Sequence, residues 1–327
     1  MRARHAMMMV GAAFLAWSAP AQGQCSTALA DACAKAQDIF HFMTPQISTA
    51  LAGGSTTLGQ GGVLGGMPHW TVALRASAVQ GAFPEVGDLW FSTTNKQVTN
   101  LPSKSQLVPM ASLDGAIGLY EGFPLGVTRV GGVDLLLTAT FLPKPSSGSG
   151  DVQIDLPGGS TKFGYGVRVG LLQESLVVPG VSFSWVKRGL PTIAISGASI
   201  TPPGGSLVGG TFTLENLDIK TSSWRISASK SFVLFGIEGG LGQDKYDNSA
   251  GALVTVQGQS QRFDVSNSMN RTNIYAGLTM NIFIGKLVGE VGQVSGGSVP
   301  ALFNTIDESH DASKGRSYFS LGFRTGF

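Results

Sequence analysis

From His69 to the end of the chain, apolar positions recur at every second residue. Trp70, Val72, Leu74, Ala76 and Ala78 alternate with Thr71, Ala73, Arg75 and Ser77, and Val133, Leu135, Leu137, Ala139 and Phe141 alternate with Asp134, Leu136, Thr138 and Thr140. The clearest case is "TKFGYGVRVGL", with Phe163, Tyr165, Val167, Val169 and Leu171 on one face and Lys162, Gly164, Gly166, Arg168 and Gly170 on the other. A period of two is the mark of a strand whose faces meet different surroundings. Similar segments lie at 181–185, 224–228, 233–241, 274–282 and 319–327, with less regular ones at 113–119, 193–195, 212–219, 253–256 and 287–291. Turn-forming clusters at 142–150 and 201–205 separate them. The pattern predicts about thirteen strands, or about fourteen if 88–92 is another, and no helix beyond residue 45.

A soluble sandwich and a membrane barrel both alternate, so the contents of the second face decide between them. In a sandwich that face meets water and collects charged residues. Here it collects glycine: Gly164, Gly166, Gly170, Gly236, Gly240, Gly277, Gly322 and Gly326. Glycine inside a strand packs nothing, so this many on one side points to crowding at a concave inner surface. Trp70, Phe141, Phe163, Phe183, Trp185, Trp224 and Phe327 fall near segment ends, where a barrel carries its interfacial girdles. The expected fold is an all-β transmembrane antiparallel barrel of 12–14 strands.

Composition agrees. The 327 residues include 46 Gly, only 13% are charged, and the net charge is +2. Nucleic-acid binding needs concentrated basic charge and gains no support. Beyond the first twenty residues no apolar run approaches the roughly 20 needed for a spanning helix.

The amino-terminal part is built differently. Basic "MRARH", an apolar stretch at 6–17 and "SAPA" have the grammar of a signal peptide over 1–21. Gln24 stands before Cys25 where a lipid-attachment signal wants a small residue, and Cys25 and Cys33, the only cysteines, are expected to form a disulfide in an exported chain. Residues 26–42 suit a short helix that ends before Pro45. Then follows "GGSTTLGQGGVLGG" at 53–66, containing Gly53, Gly54, Gly61, Gly62, Gly65 and Gly66. No G-K-[ST] follows it, so it is not a phosphate loop. It reads either as a plug folded into the barrel mouth or as a periplasmic tether. The expected layout is a signal peptide (1–21), a periplasmic helix with a plug-like segment (22–67) and a barrel (68–327).

The last strand, with Phe319, Leu321 and Phe323 on one face and a terminal Phe327, resembles the assembly signal of bacterial outer-membrane barrels; Thr325 departs from the pattern. Across the chain, a short amino-terminal segment, a Gly-rich stretch and then a barrel resemble the long-chain fatty-acid transporter family of hydrophobic-compound channels. "GGMPHWTVALRASAV" stands where that family has Asn-Pro-Ala, and the longer phrase from residue 50 is similar to uncharacterised outer-membrane proteins of environmental bacteria, a likeness that implies fold and no activity. The resemblance implies outer-membrane location after export, contact with membrane lipid and the barrel-assembly machinery, a hydrophobic small-molecule ligand, and no cofactor or metal.

Charges are expected to face inward, because Arg or Lys facing mid-membrane lipid costs about 2–4 kcal/mol. Arg75, Arg168 and Arg225 are then candidates to receive a ligand carboxylate, since the guanidinium fork matches it. The competing expectation is that they pair with Asp114, Asp134 and Glu238 and stiffen the lumen. An enzyme would draw its base from His41, His69 or His310, none beside a G-x-S-x-G. "DESHD" at 307–311 reads as a solvated loop. The expected function is passive uptake of hydrophobic or amphipathic molecules, the alternatives a structural or adhesive barrel and a lipid-acting enzyme.

Overall fold

A computed structural model describes residues 25–85, 89–142, 152–198, 207–306, 311 and 313–327. The expected signal peptide, the 201–205 turn, most of the 142–150 turn and His310 lie outside the described residues. Ten strands close a ring: β1 (Trp70–Pro84), β2 (Ser103–Tyr120), β3 (Val133–Phe141), β4 (Thr161–Leu172), β5 (Gly180–Gly189), β6 (Gly210–Ser231), β7 (Phe235–Val256), β8 (Gln259–Ile282), β9 (Gly285–Val294) and β10 (Arg316–Gly326). Each pairs antiparallel with its neighbour in sequence, and β1 pairs with β10 from Thr71 opposite Gly326 to Val79 opposite Tyr318. Closure removes both sheet edges. Strands Ile193–Ala198 and Val152–Asp155 extend the sheet beside the upper part of β6, which brings the sheet to twelve strands, the lower end of the expected 12–14, with ten of them in the ring.

Segments that looked separate in the sequence are single long strands. The 212–219 and 224–228 segments are both β6, and 233–241 and 253–256 are both β7. The polar stretches between them looked like breaks because they leave the apolar belt. Along β8, the outward residues Ile274, Leu278, Met280 and Ile282 are apolar, whereas Asp264, Ser266, Ser268, Asn270 and Thr272 are polar and also exposed. Nine residues from 274 to 282 match the roughly 9–11 that cross a bilayer. The rest of this 24-residue strand stands in water.

At the end holding Trp70 and Phe327 the strands are joined by 121–132, 173–179, 232–234 and 283–284. At the other end the strand ends are separated by longer stretches of sequence, 85–102, 142–160, 190–209 and 295–315. Transmembrane barrels have short periplasmic turns and longer external loops, which orients the ring. Aromatic pairs mark the belt, with Trp70 against Phe327 at the periplasmic rim and Phe183 stacked on Trp224 higher up.

The helix α1 (Ala30–Ala52) differs from expectation in length and place. It continues through Pro45 for about another two turns, and it lies inside the ring instead of below it in the periplasm. Proline removes one backbone donor from a helix interior, but the wall compensates. The Gln46 side-chain amide donates to the carbonyls of Phe42 and Ala82 and accepts from the Ala82 amide, which ties the helix to β1 just past the proline. The upper half of α1 sits in an apolar core, where Leu29, Ile39, Phe40 and Phe42 meet Val79, Phe91, Leu214 and Val254. Asp31 accepts from the amides of Ser92 and Gln97, and Asp38 from those of Phe303 and Asn304, so the external connections are fastened to the helix. Cys25 and Cys33 are joined by a disulfide at its start.

Candidate functional site

Below Ala52 the chain leaves the helix and descends through the lumen as an irregular ribbon to His69. Non-helical backbone at membrane depth must be enclosed by protein or water, since every amide and carbonyl needs a partner. Here the partners are arginine, glutamate and aspartate side chains of the wall. Arg225 donates to the carbonyl of Ala52 at 3.1 Å, Arg75 to that of Ser55 at 2.8 Å, Arg324 to that of Leu58 at 2.6 Å and Arg168 to that of Gln60 at 3.1 Å. The amides go to carboxylates: Ser55 to Glu290 at 3.0 Å, Gly59 to Glu238 at 2.8 Å and Leu64 to Asp134 at 3.1 Å.

Alternation places these side chains on the lumen face, as the sequence indicated for Arg75, Arg168, Arg225, Asp114, Asp134, Glu238 and Arg324. The three candidate arginines are all brought to the plug, and each also holds a carboxylate on the wall. Arg75 pairs with Asp114 at 3.0 Å, Arg168 with Asp134 at 2.7 Å and Arg225 with Asp244 at 2.6 Å. The first two pairs are those anticipated. For Arg225 the partner is Asp244, not Glu238, which instead holds Gly59. Asp244 escaped the sequence reading because it lies in the polar stretch taken for a break in β7. Glu290 and Arg188 were also missed, although Glu290 shares an inward face with Val288 in a plain alternation that would have revealed it.

Glycine allows the ribbon to reach these groups. Gly54 has a φ of +90°, and a Cβ there would stand 2.2 Å from Oε1 of Glu290; a Cβ on Gly61 would stand 2.5 Å from the backbone of Ala228. The wall glycines make sockets for the few bulky plug residues. Val63 fills the space over Gly170, and Leu58, fully buried between Ala73 and Val288, lies against Gly322. The crowding inferred from the glycines is therefore filled by the protein's own chain.

The histidines stand apart. His69 Nδ1 lies 2.9 Å from the carbonyl of Gly66 at the periplasmic mouth, and His41 is buried on α1 near the external end. Among the described residues no three His, Cys, Asp or Glu side chains are grouped as metal ligands would be.

No family model matches the sequence, and no curated protein matches it. Several solved structures are similar in fold. The outer membrane protease OmpT of Escherichia coli is 10% identical, with a TM-score of 0.36 over 80% of this chain and 97% of that one. The Ralstonia pickettii toluene transporter TbuX is 12% identical, with a TM-score of 0.28 over 86% and 98%. A Pseudomonas aeruginosa FadL homologue is 10% identical, with a TM-score of 0.26 over 87% and 97%. These are likenesses of fold at most, and they include both a protease and channels.

Proposed function

We propose that the protein is an outer-membrane channel for hydrophobic or amphipathic small molecules, closed by its own amino-terminal segment. The observation that carries this reading is the manner of closure. The ring of ten strands is complete without the plug, which adds no strand to it. At membrane depth the plug is held mainly through its backbone by charged side chains, contacts that water can replace at a net change of about 0.5–1.5 kcal/mol each, or somewhat more for charged partners. A lumen stripped of the ribbon would be lined by polar and charged side chains of both signs.

The adhesive or structural alternative draws on a different observation, the apolar core around the upper helix, which resists opening. A cross-link separates the two. Leu58→Cys with Val288→Cys joins neighbouring plug and wall residues. In vesicles, the wild type is expected to speed entry of a hydrophobic solute and the cross-linked variant to abolish that gain. Entry no faster with the wild type than in protein-free vesicles rejects the channel.

A further inference from the structure

At the periplasmic mouth lies a cavity of about 520 Å³ whose lining joins two kinds of surface. On its lumen side are Lys286 and Arg324, direct cross-strand partners on β9 and β10. On its rim are Trp70, Phe283, Ile284 and Phe327, of which Phe283, Ile284 and Phe327 are strongly exposed.

Like charges placed opposite each other across two strands are unfavourable unless something offsets them. The nearby groups do so only in part. Arg324 gives a donor to the Leu58 carbonyl, and the field of Glu238 reaches it, but Glu238 itself accepts from the Gly59 amide. Glu174 lines the same cavity and acts on Lys286 at a distance; its carboxylate is engaged by the amide of Ser231 at 2.5 Å. His69 faces the Gly66 carbonyl, and the terminal carboxylate of Phe327, a further negative group at this rim, is engaged through one oxygen by the Trp70 amide. The Lys286 ammonium makes no hydrogen bond and no ion pair with any described residue. A half-buried ammonium with all its donors free, beside a guanidinium and beneath an apolar rim at the membrane boundary, is a site for a negative head carrying an apolar tail.

We propose that this mouth binds anionic amphiphiles, with a phosphate or carboxylate head on Lys286 and Arg324 and an alkyl chain laid over Phe283, Ile284 and Phe327. Phospholipid of the facing leaflet and free fatty acids share this chemistry. Because Arg324 also holds the Leu58 carbonyl, a bound head competes with one of the plug's anchors. The proposal does not depend on the channel reading, since binding is measured without transport.

The test uses the full chain refolded in a neutral detergent, with dodecyl phosphate, dodecanoate and dodecyltrimethylammonium as probes and inorganic phosphate as the head without a tail. The two anionic amphiphiles are expected to bind and the cation not to. Lys286→Glu should weaken both anions at least tenfold and Lys286→Gln several-fold, with heat-modifiable gel migration unchanged as a check of folding. A lysophospholipid that binds as well as dodecyl phosphate identifies membrane lipid as the source; dodecanoate alone identifies free fatty acid. Unchanged anion binding in Lys286→Glu overturns the proposal. So does inorganic phosphate binding as tightly as dodecyl phosphate, because the apolar rim would then contribute nothing.

Discussion

Arg225 on the wall holds the last carbonyl of the lumen helix, that of Ala52, at 3.1 Å while its other contacts include Asp244 at 2.6 Å. A cation at a helix carboxyl terminus complements the dipole and caps an orphan carbonyl. Both side chains are fully buried, so the arginine serves the wall and the plug together. Arg225→Ala leaves Asp244 charged and unpaired, a change of about 3–5 kcal/mol. The expected result is a lower unfolding midpoint and trypsin cleavage after Lys35, which is buried in the docked helix. Adding Asp244→Asn should recover part of the loss. No difference between the single and double variants would show that the pair is not the source.

The socket at Gly170 makes a prediction of compensation. A Cβ there would meet Val63 Cγ2 at 2.6 Å, and every close atom belongs to that one side chain. Gly170→Ala should loosen the plug by about 1–3 kcal/mol, as overpacking does. Val63→Ala in the same chain should restore resistance to trypsin, although alone it weakens docking. If the double variant is as loose as the sum of the two, the socket is not the cause.

Acid should weaken the helix. Burial pushes the His41 imidazole below its ordinary value, against the raising influence of the Ser266 backbone and Asp38. With the docked value below the free one, of about 6.5, the released chain takes up more protons as pH falls through that value. The contribution of neutral His41 is therefore complete above it and is lost progressively below it. Cleavage after Lys35 should increase between pH 7.5 and 5.5, and His41→Gln should flatten the change. A profile identical in the two proteins would assign the effect elsewhere.

The terminal residue closes the ring. The amide of Phe327 donates to the carbonyl of Trp70, the amide of Trp70 donates back, and the rings meet edge to face at 5.3 Å. Such a ring pair contributes about 0.5–1.5 kcal/mol, a small part of a barrel's stability. Deleting Phe327 should therefore lower the yield of inserted protein several-fold while moving the unfolding midpoint of the assembled fraction only slightly. Normal insertion in an outer-membrane fraction would separate Phe327 from any assembly role.

The alternation alone determined that β4 and β10 turn Phe163, Tyr165, Phe319 and Leu321 outward and Arg168 and Arg324 inward, because a strand's side chains have no other choice than its two faces. It likewise exposed the glycine-lined inner surface. It could not set the strand count from apolar patches, since β6, β7 and β8 continue into water, where belt hydrophobicity stops but backbone pairing does not. The helix boundary at Pro45 followed a local rule that the wall overrides through Gln46 and Ala82. Whether the ribbon at 53–66 hung free or filled the lumen was a question about partners far away in sequence. Only closure of the ring brings Arg75, Arg168, Arg225, Glu238 and Glu290 from five strands around one path, where their polar groups meet the backbone groups that the irregular ribbon leaves unpaired.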